Sequence, residues 1–282
     1  MGRSILIYAN RQGDELKRTG DYMQCLAGVL SFKWLPLHLV SDADWDTLYD
    51  GAFFADVETV WEQVEAGEPT PHRERLHARI AGRCPVIRFP PYSGSFLWPF
   101  AGDDPRQAID PNRYPWPDAV AAQLAGSGLS DDALFERYMR TTEERMPDLQ
   151  QRLAADVARW TALDAIADLR LGAWVEARFR TTSLFHAPLR VTAPAIAHLM
   201  KLLLARTPIL PSHLTQAAPA EVDLLLRFHA GQDLETVPIH PGVARRLDLT
   251  YYDPNATWRW HSHRWTFRQY MLRYIHWAEY IR

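Results

Sequence analysis

The chain opens on Ser4-Ile5-Leu6-Ile7-Tyr8-Ala9 and passes at Asn10 into a segment with helical periodicity. A short apolar run with β-branched residues reads as a buried strand. Asn10 is a good helix cap, and the acidic Asp14 and Glu15 suit the first turns of a helix. Leu16, Met23, Leu26, Ala27 and Leu30 then recur at helical spacing. The opening is therefore strand, turn, helix, with Asn10, Arg11 and Gln12 at the turn. Residues 4–9 are expected to form a central parallel strand with that turn at its carboxyl end, the edge where open α/β sheets bind ligands.

The same reading extends downstream. Residues 35–40 read as a second strand, 53–64 as a third ending near Gln63, and 86–89 as a fourth, with a helix over 71–80. Strands alternating with helices predict an α/β fold: a small, mostly parallel sheet flanked by helices. Residues 89–117 are rich in proline, glycine and aromatics and too long for an idle connection, which marks a functional loop. The C-terminal half reads as largely helical. Residues 134–171 carry a helix interrupted near Pro147, and Thr192-Ala193-Pro194 opens another that ends within 207–211. A further helix is expected over 219–230, and Thr266 to Gln269 is a capping-box pattern that starts the last one. No repeat or clear linker is visible, so residues 1–282 are expected to form a single domain.

Composition narrows the function classes. The formal net charge of −3 creates no global field for nucleic acid or an anionic membrane. No apolar run approaches the roughly 20 residues of a membrane helix. The longest, 196–205, contains His198 and Lys201. The N-terminus has no signal-peptide pattern. The two cysteines, Cys25 and Cys84, are expected to be free thiols in a reducing, cytoplasmic compartment. Eleven tryptophans imply either a core with irregular corners or a groove lined by rings.

Three constellations carry chemistry. A helix start after a buried strand presents free backbone N–H groups and partial positive charge. Arg11 adds a planar cation suited to phosphate or carboxylate there, and Asn10 and Gln12 add neutral donors. The alternative is that Asn10 only caps and Arg11 is only solvated. The segment from Phe179 to His186 ends at a proline-containing bend, where His186 suits a general base or, equally, a hydrogen-bonded structural histidine. Arg178, Arg180 and Arg190 surround that bend, either to grip a phosphorylated ligand or as a solvated face. The rings and bases from Trp258 to Trp265 suit stacking on a flat ligand, or a strand pair with alternating faces. His261 and His263 lack a third ligand at a diagnostic spacing, so no metal is expected. GxGxxG, GxxxxGK[ST] and GxSxG motifs are absent, which argues against dinucleotide, P-loop and typical serine-hydrolase chemistry.

Taken in order, these segments resemble the WcbI family of capsular-polysaccharide biosynthesis enzymes, from Ile5 to about Tyr274. The family's Gly-Asn-Cys-Gln turn reads Ala9-Asn10-Arg11-Gln12 here, and its strand ending in glutamine reads Val60-Trp61-Glu62-Gln63. Its Phe-Pro-Pro segment is matched by Phe89-Pro90-Pro91-Tyr92-Ser93-Gly94 and Trp98-Pro99. Leu184-Phe185-His186, Pro194, Ile239-His240-Pro241 and the helix from Thr266 through Tyr270 to Tyr274-Ile275 complete the match. The resemblance implies coenzyme A or acetyl-coenzyme A as substrate and acyl transfer to a sugar or glycan hydroxyl. Together with the reading of the residues above, it puts His186 forward as catalytic residue, and Asn10, Arg11, Gln12, Gln63, Tyr92 and Arg180 as ligand-binding residues. Arg11 stands where the family has its cysteine, so no covalent acyl-enzyme is expected at that turn. A non-catalytic or repurposed member that binds an anionic ligand or partner is the alternative.

Overall fold

Six of the seven residues of β1 (Arg3–Ala9) are buried, so both faces of the strand are covered. In the computed structural model, which describes residues 3–38, 41–65, 71–229 and 235–279, β1 pairs in parallel with β2 (Leu30–Pro36) and β3 (Val57–Gln63). A fourth strand, β4 (Val86–Phe89), adds in parallel to β3, giving the order β2-β1-β3-β4. The connections are α1 (Arg11–Tyr22), α2 (Asp42–Leu48) and α3 (Pro71–Ile80). The expected central parallel strand, with the turn at its carboxyl end, is what forms.

Alternation along β1 assigns the two faces. Ile5 and Ile7 pair in register with Phe32 and Trp34 of β2, and Ile7 with Trp61 of β3. Helix α1 lies close on this side. A Cβ at Gly13 would come within 2.8 Å of the Trp34 ring, and one at Gly20 within 2.5 Å of the Phe32 ring. Leu6 and Tyr8 instead join one cluster with Leu35, Val60, Trp45 of α2, and Leu76 and Ile80 of α3. Each large apolar side chain so buried contributes about 1.5–3 kcal/mol.

The second strand lies earlier than expected, ending at Pro36 rather than spanning 35–40. Its signal is weakened by Lys33, whose ammonium reaches Asp56 and the Phe53 carbonyl. Residues 39 and 40 lie outside the described residues.

Downstream follow α4 (Ala119–Gln123), α5 (Asp131–Glu144), α6 (Leu149–Ala165), α7 (Gly172–Arg178), β5 (Phe185–Ala187), β6 (Arg190–Val191), α8 (Ala193–Arg206) and α9 (Ser212–His229). The chain ends on α10 (Pro241–Arg246), β7 (Trp258–Trp260), β8 (His263–Trp265) and α11 (Phe267–Ile275). The break between α5 and α6 falls at Pro147, as expected. Helix α9 starts before the expected residue 219 because Pro219 is accommodated inside it. Residue 230, its expected end, lies outside the described residues. Thr266 and Gln269 form the reciprocal capping box of α11. The tryptophan- and histidine-rich segment is an antiparallel strand pair, with His261 in the left-handed region at the turn. Among the described residues no helix is long and apolar enough to cross a membrane.

Contacts cluster the chain into two compact units. The first comprises Met1–Tyr92, Ala158–Glu176 and Val191–Ala230, and holds the parallel sheet. The second comprises Ser93–Val157, Ala177–Arg190 and Gly231–Arg282.

Candidate functional site

In a sheet of order 2-1-3-4 the chain winds away from β1 and β3 in opposite directions, which leaves a crevice at their carboxyl ends. Here Asn10 follows β1 and Gln63 ends β3. The Asn10 N–H donates to Gln63 Oε1 at 2.9 Å, and Asn10 Oδ1 accepts from the Gln12 N–H at 2.9 Å as the cap of α1. Because Asn10 donates, the amide orientation of Gln63 is dictated: Oε1 faces Asn10 and Nε2 faces elsewhere. That Nε2 is buried and has no partner among the described residues. An unmet buried donor costs about 1–3 kcal/mol, so it marks a place where an acceptor would be bound strongly.

Gln63 is held from behind. Arg73 Nη2 donates to the Gln63 carbonyl at 2.6 Å, and Arg73 Nε lies 2.8 Å from the buried carboxylate of Glu62. His77 and Arg88 approach the same carboxylate, at 3.0 and 3.4 Å. The alternation of β3 sends Glu62 to the α3 side and Gln63 to the α1 side.

Arg11 is exposed, and its side chain has no partner among the described residues. Gln12 is engaged at both ends of its amide: Nε2 donates to the Tyr92 carbonyl at 2.8 Å, and Oε1 accepts from the Tyr92 N–H at 3.1 Å. Gln12 therefore splints the segment after β4 to the turn after β1. Tyr92 is buried, and its hydroxyl has no partner among the described residues. Burial, helped by the charge of Asp164, pushes that hydroxyl well above its ordinary pKa, so it stays a proton donor. Its ring packs on Trp174, and Trp174 stacks on His198 at 4.2 Å between centroids.

His186 and Arg180 belong to the second unit. His186 is half-buried in β5, and its carbonyl accepts from the Val237 N–H at 2.8 Å. Within this unit a Cβ at Gly94 would come within 2.6 Å of the Phe185 ring, so the backbone at 94 approaches that ring as closely as it does because the residue is glycine. The Arg180 guanidinium covers the Phe179 ring at 4.4 Å. Arg190 pairs with Glu235 at 3.2 Å.

Sequence reasoning missed Trp174, Asp118 and the state of His240. Asp118 closes the proline-rich loop, one residue beyond the segment singled out. Its Oδ1 caps α4 by accepting from Val120 and Ala121, and its Oδ2 accepts from the Tyr138 hydroxyl at 2.7 Å. Burial nevertheless raises its pKa to about 6. His240 Nδ1 accepts from the Gly242 N–H at 3.0 Å. The proton must then sit on Nε2, which donates to Thr142 Oγ1 at 2.9 Å. Burial, and the charges of Arg246 and Arg245, hold its pKa down to about 4. Both nitrogens are committed, so His240 is a helix cap. Burial and Glu221 push the Cys25 thiol up to about 12, which leaves little thiolate at neutral pH. Among the described residues no cluster could hold a metal ion.

The sequence model of the family described as "Polysaccharide biosynthesis enzyme WcbI" matches residues 4–211. No curated protein sequence matches the chain. A solved structure of WcbI superposes with a TM-score of 0.72 at 14% identity, covering 98% of this chain and 89% of its own. That protein is described as a novel polysaccharide biosynthesis enzyme, in native form without a disulfide bond between coenzyme A and one of its cysteines. With three quarters of its length matched by the family's own sequence pattern, the chain belongs to the WcbI family of polysaccharide biosynthesis enzymes.

Proposed function

We propose that the chain binds coenzyme A, its acyl thioester or a related phosphorylated ligand at the carboxyl edge of its parallel sheet. The observation that carries this reading is the start of α1 at the crevice between β1 and β3. Arg11, exposed and unpaired among the described residues, begins that helix, and Gln63 at the end of β3 keeps a buried, unmet donor. A helix start and a guanidinium are both suited to phosphate oxygens. The coenzyme A named for the solved WcbI structure gives the ligand class.

The reaction we propose is acyl transfer, acetyl in the simplest case, to a sugar hydroxyl in a cytoplasmic step of polysaccharide synthesis. The hydroxyl loses its proton to His186 and its oxygen attacks the thioester carbonyl. The carbon–sulfur bond then breaks, and the coenzyme A thiolate leaves and is protonated. No cysteine takes part, since Arg11 stands at the turn and Cys25 stays a thiol. A second reading, a binding protein without catalysis, is favoured by that same Arg11.

Calorimetric titration with coenzyme A, acetyl-coenzyme A and adenosine 3′,5′-bisphosphate tests the binding. Saturable binding of all three supports it, and heats indistinguishable from dilution refute it. Binding without turnover on any sugar acceptor favours the second reading.

A further inference from the structure

The second unit contains a cavity of about 180 Å³. Protein interiors pack as densely as organic crystals, and a void this large is not ordinary. A cavity of about 150 Å³ with aliphatic and aromatic walls is known to stay dry and to admit benzene. Here the walls include Leu97, Trp98, Phe100, Val237, Phe267 and Met271, all buried. Leu189, more than half exposed, stands on the lining and gives the cavity a way in.

Of the polar groups on the walls, those of Asp118, His240 and Tyr274 are committed, whereas the Trp98 and Trp116 indole N–H groups and the Tyr270 hydroxyl are buried without a partner among the described residues. The Asp118 carboxylate takes three hydrogen bonds, from Val120, Ala121 and Tyr138. His240 uses both ring nitrogens. The Tyr274 hydroxyl donates to Asp104 at 2.7 Å and accepts from the Asp118 N–H at 3.1 Å. Among the described residues no lysine or arginine lines the space. An anion would meet Asp118 with no cation to balance it, and a polyol would bring more hydroxyls than the three unmet donors could satisfy among rings. A mainly apolar, uncharged group is removed from water there, and a single acceptor on it would meet one of those donors.

We infer that this cavity is a binding site for an uncharged, mainly apolar group of about the size of a benzene ring, such as a short acyl or aryl substituent. Met271 is the wall able to adjust to different occupants, because its thioether chain is unbranched and polarizable. The inference goes beyond the coenzyme A reading and does not depend on it.

The test uses the full chain with 13C-methyl-labelled methionine, the Met271 signal being assigned through Met271→Leu. Benzene is titrated in, and phenyl phosphate in a parallel series. The inference predicts a saturable shift of the Met271 methyl with benzene and none with phenyl phosphate at equal concentration. Met271→Trp, which fills the space, should weaken benzene binding at least tenfold. The wild-type titration decides the matter even where that variant does not fold. A Met271 signal that stays still up to the solubility limit of benzene overturns the inference, as does an equal response to phenyl phosphate.

Discussion

Asp118 and His240 should give the second unit two opposing pH dependences that single substitutions expose. The Asp118 pKa rises from an ordinary 3.8 to about 6. Between those values the folded chain holds a proton that the unfolded chain has released. This contribution is therefore full below pH 3.8 and lost as pH rises through 6. At about 1.36 kcal/mol per pH unit it amounts to about 3 kcal/mol. The His240 pKa falls from 6.5 to about 4, so the unfolded chain binds the extra proton. Its contribution is full above pH 6.5 and lost as pH falls through 4, again about 3 kcal/mol. The two nearly cancel in the wild type. Asp118→Asn removes one of them. Its stability relative to wild type should climb by about 3 kcal/mol between pH 4 and pH 7. His240→Asn keeps a capping oxygen, and its relative stability should decline by a similar amount over the same range. Urea unfolding at pH 4, 5, 6 and 7, compared as differences from wild type, reads both slopes. Difference profiles that stay flat would refute the assignment of a raised carboxyl and a lowered imidazole at this site.

Three further outcomes are expected. Gly20→Ala should destabilise by about 1–3 kcal/mol, because its Cβ would stand 2.5 Å from the Phe32 ring; helix propensity alone would make it stabilising, so a raised melting temperature would show that α1 does not seat as described. Cys25 should react with a disulfide reagent at pH 8 more than tenfold slower than a free thiol, since burial and Glu221 suppress its thiolate; a rate matching glutathione would contradict this. If the chain transfers acyl groups, His186→Ala should lower kcat by about 10²–10⁴-fold while leaving coenzyme A affinity nearly intact, and equal turnover by both proteins on a confirmed acceptor would make His186 structural.

What the sequence revealed was local. The strand, turn and helix from Ser4 to Leu16, the boundaries of α3 and β4, and the Thr266 capping box each depend on neighbours a few residues apart. Helix α9 begins at Ser212, upstream of the start expected at Pro219, because tertiary packing tolerates a proline within the helix. The second strand lies upstream of the expected 35–40 because Phe32, Lys33 and Trp34 pair with Ile5, Leu6 and Ile7 of β1, a long-range pairing that no local pattern displays. The state of a side chain was not legible where its partner is distant in sequence. Gln12 meets Tyr92 across 80 residues, and His240 meets Thr142 across 98. No local pattern announces that Gln63 keeps an unmet donor or that Asp118 is desolvated, because both follow from burial.

The central claim is that the start of α1 at the crevice between β1 and β3 binds a phosphorylated ligand of the coenzyme A class. Titration calorimetry of coenzyme A into wild type and Arg11→Ala at one fixed salt concentration tests it most directly. Arg11 is exposed and carries no structural bond among the described residues, so the variant should fold normally. A charge-assisted contact to phosphate contributes about 1.5–3 kcal/mol, which predicts saturable binding to wild type and at least a roughly tenfold weaker Kd for the variant. Equal affinity of the two proteins, or no binding to wild type, would contradict the account.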